Sequence, residues 1–227
     1  MRPTSTAQLR LHVLHYVSPD DVRVEVFSSG DLNCRDCTLV ASVSKMAGSI
    51  FFSPAPYHII SYGTLLGTTF FHSFVNGITM FRVLERPSFS AAQNALFPIY
   101  FALQTALPAI LALTYPGSSN PLGVASGLGG LLDESNFRGT LLPIATIFVT
   151  AAVNLLVVLP ATQKIMAARY AQEKKDGKKS YDPAPHSQEM QALNKRFGKM
   201  HGISSLLNLG TFIATIAYGF TLGSRLS

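Results

Sequence analysis

Charge is what this sequence has least of. Of its 227 residues, 18 are Lys or Arg and 12 are Asp or Glu, a charged share of 13%. An ordinary soluble domain carries about 25%. Apolar residues make up 48%, and the mean hydropathy is positive. These values exclude disorder and a coiled coil, and they argue against an ordinary soluble enzyme. The deficit is also blocked. No full charge occurs between Lys45 and Arg82, Arg86 and Asp133, Arg138 and Lys164, or Lys199 and Arg225. Each gap has room for the roughly 20 apolar residues that cross a bilayer.

Further absences narrow the function. The uncharged stretches hold no Asp or Glu, which argues against a proton-coupled pump. There is no Gly-x-Ser-x-Gly, no His-Glu-x-x-His and no phosphate loop, so the expectation is a protein without enzymatic activity or cofactor. No internal repeat is evident, and four spans are few for alternating access unless the chain dimerises. Cysteine is reduced to Cys34 and Cys37, in CRDC, a weak redox signal by itself.

What is present is a set of four apolar spans, at about 57–81, 96–115, 140–163 and 200–222. A lipid-exposed backbone must satisfy its own hydrogen bonds, and four strands cannot close a barrel, so the spans are helices. The expected fold is all-α: a polytopic, four-helix transmembrane bundle over residues 46–227. Pro54 and Pro56 precede the first span, and Pro108 inside the second predicts a kink. The polar stretch SFSAAQNA (88–95) reads as an interfacial segment. GSSNPLGVASGLGG (117–130) and EKKDGKKSYDPAPHSQE (173–189) read as loops.

Orientation follows from Lys and Arg near the spans. The segments 82–95 and 164–199 fall on one side and hold eleven of them. That side is assigned to the cytosol and both termini to the other side. The membrane is an endomembrane or the plasma membrane, with a mitochondrial membrane left open. The net charge of +6 comes mostly from 164–199, where no aromatic-interleaved motif accompanies it. The excess therefore points to topology and to anionic lipid, not to nucleic acid. Residues 1–45 read as a poorly ordered or non-native tail. They lack the apolar core of a signal peptide, and a start at Met46 is left open. His12 and His15 would complete a zinc set with the two cysteines on paper, but a local disulfide fits as well and no metal is assigned.

Three stretches carry a resemblance: HSFVNGITMFRVLERPSF (72–89), LFPIYFALQ (96–104) and FGKMHGISSLLNLG (197–210). In order and spacing they resemble the transmembrane protein 205 family, also catalogued as a domain of unknown function. The resemblance covers about 57–222. It implies a small multi-span membrane protein with suggested roles in stress or drug tolerance and in trafficking. It transfers no catalytic residue.

The informative residues are polar ones inside the spans, because a polar group in hydrocarbon is costly unless paired. At about 1.5 Å per residue, Asn76 lies about 9 Å and His72 about 15 Å from Arg82. Gln104 lies about 12 Å past Leu96, Asn154 about 15 Å before Lys164 and Asn208 about 13 Å past Lys199. Every span thus brings an amide or imidazole to one layer in the cytosolic half. One reading is a ligand pocket with His72 as acceptor. The other is an interhelical network that sets helix register, at about 0.6 kcal/mol per contact. His201 opens the fourth span, and Ser204, Ser205 and Asn208 follow it on one stripe; head-group contact and helix packing both fit. Gly63/Gly67 and Gly219/Gly223 are Gly-x-x-x-Gly pairs that could pack the first span on the fourth or drive a homodimer.

Overall fold

Pro54, read above as preceding the first span, opens the first helix in the computed structural model, which describes residues 53–117 and 126–225. These fall in the second of two units of the chain, Phe52–Ser227. The tail, with His12, His15 and the CRDC pair, lies outside the described residues, as does most of the Gly-rich loop. Among the described residues there is helix and no strand.

Helix α1 (Pro54–Phe70) begins at Ser53, whose hydroxyl accepts from the Ala55 amide at 3.4 Å. That bond satisfies one of the amides a helix start leaves free. A π-helical turn, Phe71–Asn76, carries the rod into α2 (Gly77–Val83). Pro87 stands in the first turn of α3 (Arg86–Leu113), where a missing N–H does no harm. The stretch 88–95, expected along the interface, is instead the opening of this same helix. Pro98 and Pro108 sit inside α3 without ending it.

A short α4 (Leu128–Leu131) and a 3₁₀ turn (Glu134–Asn136) lead into a π-helical turn, Phe137–Leu141. Next come α5 (Leu142–Val153), a further π-helical turn (Asn154–Val158) and α6 (Leu159–Asp176). Pro143 and Pro160 each follow one of these π turns. Proline has no N–H and crowds the carbonyl four residues back, and a wider turn accommodates both defects. Gly177, at φ 64°, ends α6 in the left-handed conformation. Ser187 then caps α7 (Gln188–Gly223), accepting from the Met190 amide at 3.1 Å. The stretch 173–189, read as a loop, lies outside helix over 177–187; the rest of the basic segment 164–199 belongs to α6 and α7, which form a helical hairpin.

The rods pack in a ring: α1 on α3 and α7, and α5 on α3 and α7. Contacts such as Thr69 with Gln104 and Ser73 with Tyr100 run α1 and α3 antiparallel. Thr150 with Thr211 and Asn154 with Asn208 do the same for α5 and α7. The Ser90–Tyr170 hydrogen bond, at 2.8 Å, brings both Lys/Arg-rich segments to one end.

Among the described residues, three helices are long and apolar enough to cross a membrane: Arg86–Leu113, Glu134–Asp176 and Gln188–Gly223. The first rod, α1 through α2, is no shorter than α3 but is not one of the three. Its Tyr, His, Ser, Thr and Asn residues dilute its apolar content. An apolar cluster including Leu65, Leu111, Ile144, Ile147 and Tyr218 fills part of the ring. Around it the usual order is inverted. Ile60, Leu206 and Phe220 are 66%, 71% and 78% exposed, while His58, Gln104, Asn154 and Thr211 are fully buried.

Candidate functional site

The polar layer splits into two separately bonded groups. In the first, α1 and α3 face each other. Gln104 is buried and spends both amide hydrogens, donating to Thr69 Oγ1 at 3.1 Å and Tyr100 Oη at 2.8 Å. The Tyr100 hydroxyl also meets Ser73 Oγ at 3.2 Å. His72 and Asn76 occupy the π-helical turn, and Asn76 Nδ2 donates to His72 Nδ1 at 3.1 Å. That bond leaves the ring proton on Nε2. The half-buried imidazole packs on Tyr100 with ring centres 4.2 Å apart and meets the edge of Phe97 at 5.2 Å.

The second group joins α5 and the following π turn to α7. Asn154, fully buried at the start of that turn, donates at 3.5 Å to the Ser204 carbonyl and at 3.4 Å to Asn208 Oδ1. These bonds are long and individually weak. Thr150 and Thr211 share a tighter bond of 2.7 Å one turn away. Among the described residues no hydrogen bond joins the two groups. Each keeps one buried amide oxygen without a partner, Gln104 Oε1 and Asn154 Oδ1. Chemically these are free acceptors, able to take a bond from a hydroxyl, an amine or a water. Among the described residues no three His, Cys, Asp or Glu side chains cluster as metal ligands.

The other residues singled out in the sequence separate. His201 is exposed and stacks on Phe197, with ring centres 6.1 Å apart and planes 10° from parallel. Ser205 donates back to the His201 carbonyl at 2.9 Å, and Ser204 serves the layer through its carbonyl alone. A side chain added at Gly63, Gly67 or Gly223 would meet nothing within 4 Å. The close approach of α1 to α7 runs through Gly219, where an added Cβ would press on the Tyr62 hydroxyl and come within 2.9 Å of its Cζ.

A third polar cluster was not singled out in the sequence. His58, fully buried near the start of α1, bonds Thr114 through Nδ1 at 3.2 Å and Tyr218 through Nε2. The Thr114 hydroxyl donates to the Ile110 carbonyl at 2.7 Å, so it accepts from His58 Nδ1–H. Nε2 is then the acceptor for the Tyr218 hydroxyl. Arg225 lies over the Tyr115 ring at 5.2 Å and donates to Asn136 Oδ1, whose amide reaches the Gly130 carbonyl at 2.8 Å. The trace of this knot in the sequence is a His four residues past Pro54, in the first turns of α1. Its partners lie 56 and 160 residues away.

Comparison with known proteins gives the chain a family. The profile of a family described as a domain of unknown function, DUF4149, matches residues 60–171, from α1 into α6. Xanthocillin biosynthesis cluster protein D of Aspergillus fumigatus is 33% identical over 171 residues, covering 75% of this chain and 90% of that protein. No solved structure matches. The chain thus belongs to the DUF4149 family, whose function is unknown.

Proposed function

We propose that the protein is a four-span integral membrane protein of the transmembrane protein 205 type that serves as a non-enzymatic accessory or scaffold. The inverted order of burial supports the membrane part of this reading. Amides and hydroxyls sit inside and bond across helices, while large apolar side chains face outward, as a lipid solvent requires. The outward hydroxyls fit as well. Thr64 and Thr146 donate to the carbonyls four residues back, at 2.8 and 2.7 Å, which satisfies them without water. On this reading the first rod is the fourth span, held in the ring by His58, Thr69 and Gln104. The Lys/Arg-rich end faces the cytosol of an endomembrane or cell-surface system. The relative's name ties that protein to a biosynthesis cluster, and an accessory role beside membrane-bound biosynthesis is a setting in which this chain would act.

A second reading rests on the unpartnered Gln104 Oε1 and Asn154 Oδ1. These acceptors, with His72, Asn76 and Asn208, would line the pocket of a small-molecule carrier. Carbonate extraction followed by native mass spectrometry of the full chain separates the readings. The scaffold reading expects a carbonate-resistant chain with no retained small mass. It also expects His72→Ala to lower the thermal midpoint and leave the bound mass unchanged. A reproducible extra mass lost in His72→Ala overturns the scaffold in favour of the carrier. A chain released by carbonate overturns the membrane reading itself.

A further inference from the structure

The hairpin of α6 and α7 holds a cation in an unusual state. The Arg169 guanidinium carbon lies 4.5 Å over the Phe197 ring, and one terminal nitrogen donates to the Met166 sulfur at 3.2 Å. Its Nε is buried and, among the described residues, has no hydrogen-bond partner. Sulfur and an aromatic face are weak partners for a group with five donors. Glu173, one turn along, is close enough to be felt by Arg169. Its oxygens are nonetheless committed to the Ser180 amide at 3.0 Å and to Lys179 at 3.6 Å. His201 packs on the same Phe197 ring and is exposed. Gly198 and Gly202 flank this group, and an added Cβ at either would meet nothing within 4 Å. Open space therefore borders a donor-rich surface whose nearby carboxylate, Glu173, is engaged by Ser180 and Lys179.

Position supplies the ligand class. Arg169 stands five residues beyond Lys164, which ends an uncharged stretch, and His201 stands two residues past Lys199. Both belong at head-group depth if the chain spans a bilayer. Leu206 and Leu209, 71% and 45% exposed, continue along α7 from His201 toward the apolar span. We propose that Arg169, Phe197 and His201 form a binding site for an anionic glycerophospholipid. The phosphate takes the terminal guanidinium N–H groups, whose present partners are weak, and the imidazole, and the acyl chains lie along Leu206 and Leu209. Arg suits a phosphate because its planar fork can make two parallel bonds. The basic run 174–179 is a weaker candidate for the same lipid. Lys179 already pairs with Glu173, and Lys178 donates to the Pro185 carbonyl at 2.9 Å.

This site rests on the membrane reading above, and its test keeps the two apart. The full chain is reconstituted in phosphatidylcholine vesicles with and without phosphatidylglycerol, checked for carbonate resistance, and then released for native mass spectrometry. Carbonate release sinks the membrane reading and this site with it. In an inserted chain, phosphatidylglycerol should be retained over phosphatidylcholine. Arg169→Gln should cut that retention about tenfold, in keeping with the loss of a charge-assisted bond worth about 1.4 kcal/mol. His201→Gln should cut it by a smaller factor. Lys175→Gln, at an exposed position, should leave it unchanged. Insertion with no lipid preference, or equal retention in Arg169→Gln, overturns the site. Soluble glycerol phosphate retained as well as the lipid would also overturn it, by making the ligand a free phosphate. Should Arg169→Gln fail to fold, Arg169→Lys and His201→Gln decide: full retention in both refutes the proposal.

Discussion

The two ends of the molecule are held by different kinds of contact. At one end, His58, Thr114, Asn136, Tyr218 and Arg225 come from the start of α1, the close of α3, the approach to α5 and the last turns of α7. Their bonds span 56, 89 and 160 residues. At the other end, the α6–α7 hairpin closes on itself. Glu173 with Ser180, Lys178 with Pro185 and Asp176 with Ser187 lie 7 to 11 residues apart. The first end exists only when all four rods are assembled. The second can form from local chain alone, given a Gly to end one helix and a Ser to cap the next.

That contrast is open to direct attack. His58→Ala should have the largest effect. It removes two bonds and leaves the buried Tyr218 hydroxyl unpaired, a loss of about 3 kcal/mol that would show as a lower thermal midpoint in detergent. An unchanged midpoint would mean the knot holds nothing. Gly219→Ala should cost about 1–2 kcal/mol, because its Cβ would press on Tyr62. Gly63→Ala and Gly67→Ala, facing open space, should be neutral. A change of oligomeric state on Gly63→Leu would instead show that this face meets a second copy. Asn154→Leu should cost only about 0.6 kcal/mol, the scale of one interhelical bond in a membrane.

The smallest effect belongs to the hairpin and depends on pH. Glu173 lies beyond the apolar span. Burial would raise its pKa, but the Ser180 bonds and the Lys179 charge outweigh that and hold it below the ordinary carboxylate range. A lowered folded value means stabilisation that is present at neutral pH and lost as pH falls through that value. Amide exchange in 173–194 should therefore quicken on acidification through the carboxylate range. Glu173→Gln should remove that acid response of the hairpin, and equal loosening of wild type and variant would exclude Glu173 as its source.

Much of this was legible in residue order. Charge-free stretches located the long helices, because lipid and buried interfaces both exclude charge. Pro87, Gly177 and Ser187 mark helix boundaries by local chemistry. The polar residues inside the spans were legible as expensive groups that need partners. Their partners were not. Depth along each helix placed His72, Gln104, Asn154 and Asn208 in one layer. Azimuth around each helix, which packing sets, divides them into an α1–α3 group and an α5–α7 group. The π-helical turns shift that azimuth at Phe71–Asn76 and Asn154–Val158, and a periodicity of 3.6 cannot anticipate them.

By itself, then, the order of residues determined an all-helical chain with long apolar segments, a basic end and costly polar groups within the apolar stretches. These follow from composition and from interactions within a few turns. Only the tertiary structure decided that His58 closes one end, that Gly219 and not Gly63 receives a neighbouring helix, and that Glu173 pairs with Lys179 while Arg169 lies over Phe197. Those outcomes depend on which helix faces which, and that depends on packing across the whole ring.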